Sequence, residues 1–128
     1  MNALQAAIAG EQAALYAYGL AGPQLDSADR DRALGGLAAH RARILVLRER
    51  APDSSEPGTP GGYAVNPPTT PEEARALLAD VESKLAALYA DLAAAATGGE
   101  RSEAVLAACE CEVRAFGWGG EPEAFPGR

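Results

Sequence analysis

Apolar positions recur along this chain at spacings of three and four, the period of a helix with one buried face. The first such stretch runs from about Asn2 to Leu20. Leu4, Ile8, Leu15 and Tyr18 share one face, Glu11 falls on it, and Gly19, Gly22 and Pro23 end the pattern. The second opens at Asp26–Ser27, which suit a helix N-cap, and runs to about Arg50. Its stripe is Ala33, Leu37, His40, Ile44 and Leu47, with Gly35–Gly36 marking a kink or a close helix–helix approach. The third starts at Thr70. That residue caps the helix, Pro71 takes the first helical position, and Glu72 and Glu73 face the positive end of the dipole. Glu73 also completes a capping box with Thr70. The stripe here is Leu78, Glu82, Leu85, Tyr89 and Leu92, and Gly98–Gly99 stops it. A fourth helix is expected from about Glu100 to Gly117, with Leu106, Cys109, Val113 and Phe116 as its core face.

Between the second and third helices, residues 51–70 interleave Pro52, Pro57, Pro60, Pro67 and Pro68 with Gly58, Gly61 and Gly62. Such a segment cannot propagate a helix. It is long enough to join two helix ends on the same or opposite sides of a domain. Tyr63 and Val65 are expected to anchor it, and Trp118 and Phe125 to pin the tail of residues 118–128. Four amphipathic helices with one long central connection predict a single all-α domain over residues 1–128, a four-helix bundle with a Pro/Gly-rich crossover between helices 2 and 3.

Composition narrows the partners. Eleven basic against 18 acidic residues leave a net charge of −7, which speaks against nucleic acid and anionic membrane. Arg41, Arg43 and Arg48 cluster near the end of helix 2, where a solvated face and the helix dipole account for them. No run reaches the ~18 apolar residues of a membrane span, and the start lacks a signal-peptide pattern, so the cytoplasm is expected. Cys109 and Cys111 fit reduced thiols there. Two residues apart on a helix they point about 200° away from each other, too far to share a bond or a metal.

The chemistry lies in a repeat. Glu11 is followed seven residues later by Tyr18, and Glu82 seven residues later by Tyr89. Each glutamate interrupts an apolar stripe, and a buried carboxylate is costly unless it is paired or metal-bound. His40 follows Glu11 by 29 residues, and the equivalent place after Glu82 is Cys111. Glu110 and Glu112 flank that cysteine.

Glu-x6-Tyr on helices 1 and 3 with a long link between helices 2 and 3 resembles the ferritin-like superfamily. The Tyr16–Gly19 run, the Ala39–Arg43 run, the Pro-rich link with Tyr63 and the Ala124–Gly127 tail are similar to those of its small alanine-rich domain of unknown function from GC-rich bacteria. The resemblance implies an antiparallel bundle that pairs into a homodimer. In di-iron members helices 1 and 3 each give a Glu, and helices 2 and 4 each give Glu-x-x-His. Glu11 and Glu82 match the single glutamates, Tyr18 and Tyr89 match tyrosines beside the site, and His40 matches one histidine. Leu37 and Ala108 stand where the bridging glutamates belong, and Cys111 replaces the other histidine.

Two readings follow. In one, the metal site is degenerate and the protein is a non-catalytic scaffold or interaction protein without a cofactor. Glu11 and Glu82 are then satisfied by protonated His40, Tyr18, Tyr89 or an arginine such as Arg41 or Arg114. In the other, Glu11, His40, Glu82 and Glu112 hold a divalent ion (Fe, Mn or Zn) and support oxidoreductase-like or storage chemistry. A register shift that brings Glu110 or Glu112 inward favours the second reading. An inward arginine favours the first.

Overall fold

The computed structural model of the chain describes residues 1–51 and 65–120. Four α-helices and a single 3-10 turn make up its regular structure, and the described residues contain no strand. Tyr63, Phe125, the Ala124–Gly127 tail and most of the Pro/Gly-rich link lie outside the described residues.

α1 spans Ala3–Ala21. Asn2 caps it by accepting from the Gln5 N–H, and the Gln5 side chain accepts from the Asn2 N–H in return. A 3-10 turn at Gly22–Gln24 leads to α2, Ser27–Glu49, whose cap is Asp26. α3 is Pro71–Ala95, capped by Thr70. The Glu73 carboxylate closes that end one residue further out than a capping box does, accepting from the N–H and hydroxyl of Thr69. The turn into α4, Gly98–Gly117, uses Gly98 at φ 58°, a backbone conformation that costs a side-chain-bearing residue.

Side-chain pairs set the register. Glu11 and Tyr18 of α1 meet Tyr89 and Glu82 of α3. Arg43 and Arg50 of α2 meet Glu110 and Glu103 of α4. α1 packs directly on α2 and α3, and α3 on α4. α2 and α4 are joined by long side chains, and Arg32 completes the seam by donating to the Gly117 carbonyl and lying 4.4 Å over the Trp118 ring.

The core is made of alanines as much as of larger residues: Ala7, Ala14, Ala17 and Ala21 of α1, and Ala74, Ala79, Ala86 and Ala93 of α3, sit beside Ile8, Leu25, Leu78 and Leu85. This corrects the expected face of α4. Leu106, Cys109, Val113 and Phe116 are exposed. Ala104, Ala107, Ala108, Cys111 and Ala115 are buried instead. Both sets have helical period. The close approach of α3 to α4 decides between them, because only small side chains fit that gap. Trp118, just past α4, is buried.

The adjacent glycines of α2 also separate. A Cβ on Gly36 would lie 2.7 Å from the Tyr18 hydroxyl oxygen, whereas one on Gly35 would meet open space. Gly36 is therefore the close approach, and the kink reading is not needed for Gly35.

Candidate functional site

Among the described residues, three charged or polar ones form part of the buried core: Glu11, His40 and Glu82, each exposed by 1 % or less. Each sits at the centre of its helix stripe, on α1, α2 and α3, so all three side chains point at the bundle axis. His40 lies between the two carboxylates. Its Nδ1 is 2.5 Å from Glu11 Oε1 and its Nε2 is 2.8 Å from Glu82 Oε2.

A carboxylate only accepts. A carboxylate oxygen at each ring nitrogen favours hydrogen on both, that is, the imidazolium form of His40. Burial by itself pulls its pKa down, but the hydrogen bonds and charges of Glu11 and Glu82 outweigh it and raise the pKa to about 9. Burial likewise pushes Glu82 up, and the bond and charge of His40 overcome that and hold its carboxyl below the usual range.

The tyrosines complete the set crosswise. Tyr18 of α1 donates to Glu82 Oε2 on α3, and Tyr89 of α3 donates to Glu11 Oε2 on α1. Burial, then the neighbouring carboxylate, pushes both phenols well above their ordinary pKa, so both stay protonated donors. Trp118 donates from Nε1 to the Tyr18 oxygen at 3.2 Å. The result is one continuous hydrogen-bonded chain: Tyr89, Glu11, His40, Glu82, Tyr18, Trp118.

α4 contributes a cation. Arg114 donates from Nε to Glu82 Oε2 at 3.1 Å and from Nη2 to Cys111 Sγ at 3.7 Å. Cys111 is buried, and desolvation followed by the Glu82 charge pushes its thiol pKa up, so it is a neutral thiol rather than a nucleophile. Two carboxylates thus face two cations, His40 and Arg114. The cluster is self-neutral.

Of the six side chains singled out in the sequence, the structure brings together Glu11, His40, Glu82, Tyr18 and Tyr89. Glu112 is half-buried on α4, and the bonds to His40 come from Glu11 and Glu82. Glu110 bonds Arg43 at 3.3 Å. The α4 residue that reaches Glu82 is Arg114, with Trp118 reaching Tyr18. Of the two arginines the sequence offers for such a role, Arg114 turns inward and Arg41 is exposed. From the sequence Trp118 is expected only to anchor the tail. Its one polar atom, an N–H that needs an acceptor once buried, was the available signal.

The same geometry bears on a metal. A ligand imidazole offers a lone pair, and each His40 nitrogen faces a carboxylate oxygen here. The two carboxylates approach opposite edges of the ring, so their oxygens do not converge on one point. Among the described residues no group of three or more His, Cys, Asp or Glu side chains is arranged to hold a metal ion.

These features define an all-helical protein with four helices around a buried carboxylate–imidazolium–carboxylate chain. Residues 3–128 match the family described as a domain of unknown function (DUF4439), and the chain belongs to that family. Comparisons with curated proteins and with solved structures each found no match. No helix among the described residues is long and apolar enough to cross a membrane.

Proposed function

We propose that this protein is a non-catalytic, ferritin-like scaffold or interaction protein whose metal-site positions hold a proton and an arginine in place of metal. The observation that carries this reading is that both His40 nitrogens bond carboxylates. The positive charge that metal ions supply to buried glutamates comes here from His40 and Arg114. Residues that would have bridged two ions are Leu37 and Ala108. The register supports the ferritin-like part of the reading. α1 runs antiparallel to α3 through Glu11–Tyr89 and Tyr18–Glu82, and antiparallel to α2 through Glu11–His40 and the approach of Gly36 to Tyr18. α2 and α3 therefore point the same way in an antiparallel bundle. The end of α2 and the start of α3 then lie a helix length apart, about 35 Å for helices of this size. Two thiols without a disulfide suit the cytoplasm.

Nitrogen NMR of the His40 ring, with metal content measured on the same samples, tests this. The protein is incubated without oxygen with Fe²⁺, Mn²⁺ or Zn²⁺, beside a Glu82→Gln control. The expected result is two ring N–H signals that metal leaves unchanged, and metal content equal to the control. About one ion per chain, with loss of one N–H signal and no uptake by the control, would overturn the proposal. It would favour the alternative, a metal protein using Glu11, His40, Glu82 and Glu112.

A further inference from the structure

α2 and α4 are neighbours without the direct packing seen between α1 and α2, α1 and α3, and α3 and α4. Their seam is closed by side chains, and its two ends are closed differently. At the end near Trp118, Arg32 lies over the Trp118 ring, Trp118 donates to Tyr18, and Arg114 donates to Glu82. There α4 is tied to the core. Toward the other end Arg43 pairs with Glu110 and Arg50 with Glu103. The Arg50 side chain is 20 % exposed and that of Glu103 53 %. Ion pairs this open to solvent contribute little to stability.

The Arg50–Glu103 pair stands between two spaces. Outside it, at the end of the bundle, Arg50, Leu92, Leu4 and Glu100 border a cleft of about 230 Å³. Inside it, Arg50, Glu103, Leu47, Leu92, Ala104 and Tyr89 border a hollow of about 10 Å³, room for about one water molecule. Arg50 and Leu92 belong to both walls. Tyr89 is the end of the buried hydrogen-bonded chain, where it donates to Glu11. Arg50 is the C-cap of α2, one residue past its last helical position, and Glu103 stands on the second turn of α4. Either side chain can turn away by a change of rotamer, with no loss of helix. Exposed side chains make such turns in picoseconds to nanoseconds.

We propose that the Arg50–Glu103 ion pair is a gate. When it parts, the cleft and the hollow join, and water or a small neutral solute reaches Tyr89 while the four helices stay packed. An ion would lose its hydration against Leu47, Leu92 and Ala104, so neutral molecules are what the route admits. The buried chain then exchanges with solvent at its Tyr89 end without unfolding of the bundle.

The test is thiol labelling of the native full chain by methyl methanethiosulfonate, a small neutral reagent. Ala104→Cys places a thiol in the hollow, in a Cys109→Ser background. Cys111, buried on the same inner face of α4, is the internal control. Tandem mass spectrometry separates the two sites. Glu103→Gln and Arg50→Met each break the pair. Each is expected to speed labelling at position 104 by about two- to fivefold, the worth of a surface ion pair, and to leave Cys111 unchanged. A purely electrostatic effect on the thiol has opposite signs in the two variants, so a rise in both reports opening. Rates at position 104 that stay level, fall, or move in opposite directions overturn the proposal. So does a rise at Cys111 in step with position 104, which means that the whole core opens. Circular dichroism confirms that each variant folds. Leu47→Cys, which removes volume from the wall of the same hollow, is the second probe if Ala104→Cys does not fold.

Discussion

Tyr89 of α3 donates its phenolic hydrogen across the core to Glu11 of α1, although Glu82 lies seven residues back on its own helix. Tyr18 makes the mirror-image bond to Glu82. Each Glu-x6-Tyr repeat is thus half of an interhelical clasp, and neither half can be satisfied by its own helix. The two bonds tie α1 to α3 on either side of His40.

Replacing Tyr18 should cost more than replacing Tyr89. Tyr89→Phe removes one donor from a buried carboxylate, at about 1–3 kcal/mol. Tyr18→Phe removes a donor from Glu82 and also the acceptor of the Trp118 N–H. Urea denaturation followed by circular dichroism should rank the variants in that order. Equal losses would mean that the Trp118 bond contributes nothing.

The imidazolium makes stability depend on pH. The pKa of His40 rises from its unfolded value of 6.5 to about 9 in the fold. Its contribution is therefore complete below about pH 6.5 and is lost as pH climbs through 9. The loss across that window is on the order of 3 kcal/mol. Glu82, lowered in the fold, has the opposite sign: its contribution is present above the usual carboxylate range and fades in acid. Denaturation midpoints are expected to peak between these limits. A profile flat from pH 6 to 9 would mean a neutral ring.

Arg114 and Glu82 should couple. Arg114→Met leaves the core with two carboxylates and one cation, and is expected to cost about 3 kcal/mol. Glu82→Gln in the same chain should recover part of that loss. A double-variant cycle in denaturant measures the coupling, and strictly additive losses would mean that the 3.1 Å contact carries no net energy.

The glycine pair of α2 offers a test of packing by opposite signs. Gly35→Ala places its methyl in open space and should stabilise the helix by about 0.5–1 kcal/mol. Gly36→Ala drives its methyl into the Tyr18 side chain, 2.7–2.9 Å from its hydroxyl oxygen and two ring carbons, and must displace the bond to Glu82. It should destabilise by at least about 1–3 kcal/mol. Thermal melts of the two variants should move in opposite directions.

Helix number, the caps of α2 and α3, and the three buried polar positions Glu11, His40 and Glu82 were legible in the chain. Caps are local: Asp26 and Thr70 bond a backbone N–H three residues on, and nothing distant changes that. Glu11, His40 and Glu82 stood out because each interrupts an apolar stripe, and only tertiary burial explains a polar residue there. The face of α4 was not legible. Period alone admits both the Leu106–Phe116 line and the alanine line, and hydrophobicity ranks the larger residues first. The gap between α3 and α4 reverses that ranking, because size outweighs hydrophobicity where backbones come close.

The sequence by itself determined an all-helical chain with three buried polar positions, two of them, Glu11 and Glu82, at matching places in its two halves. Those features follow from spacing and local capping, which act within a few residues. Only the tertiary structure decided how those positions are satisfied. The tyrosines cross over, His40 bonds on both edges of its ring, and Arg114 enters where Glu112 was a candidate. Each outcome depends on which side chains from four helices share one water-free volume. There a hydrogen-bond partner is worth far more than it is in solvent, and the arrangement that leaves the fewest buried charges unpaired prevails.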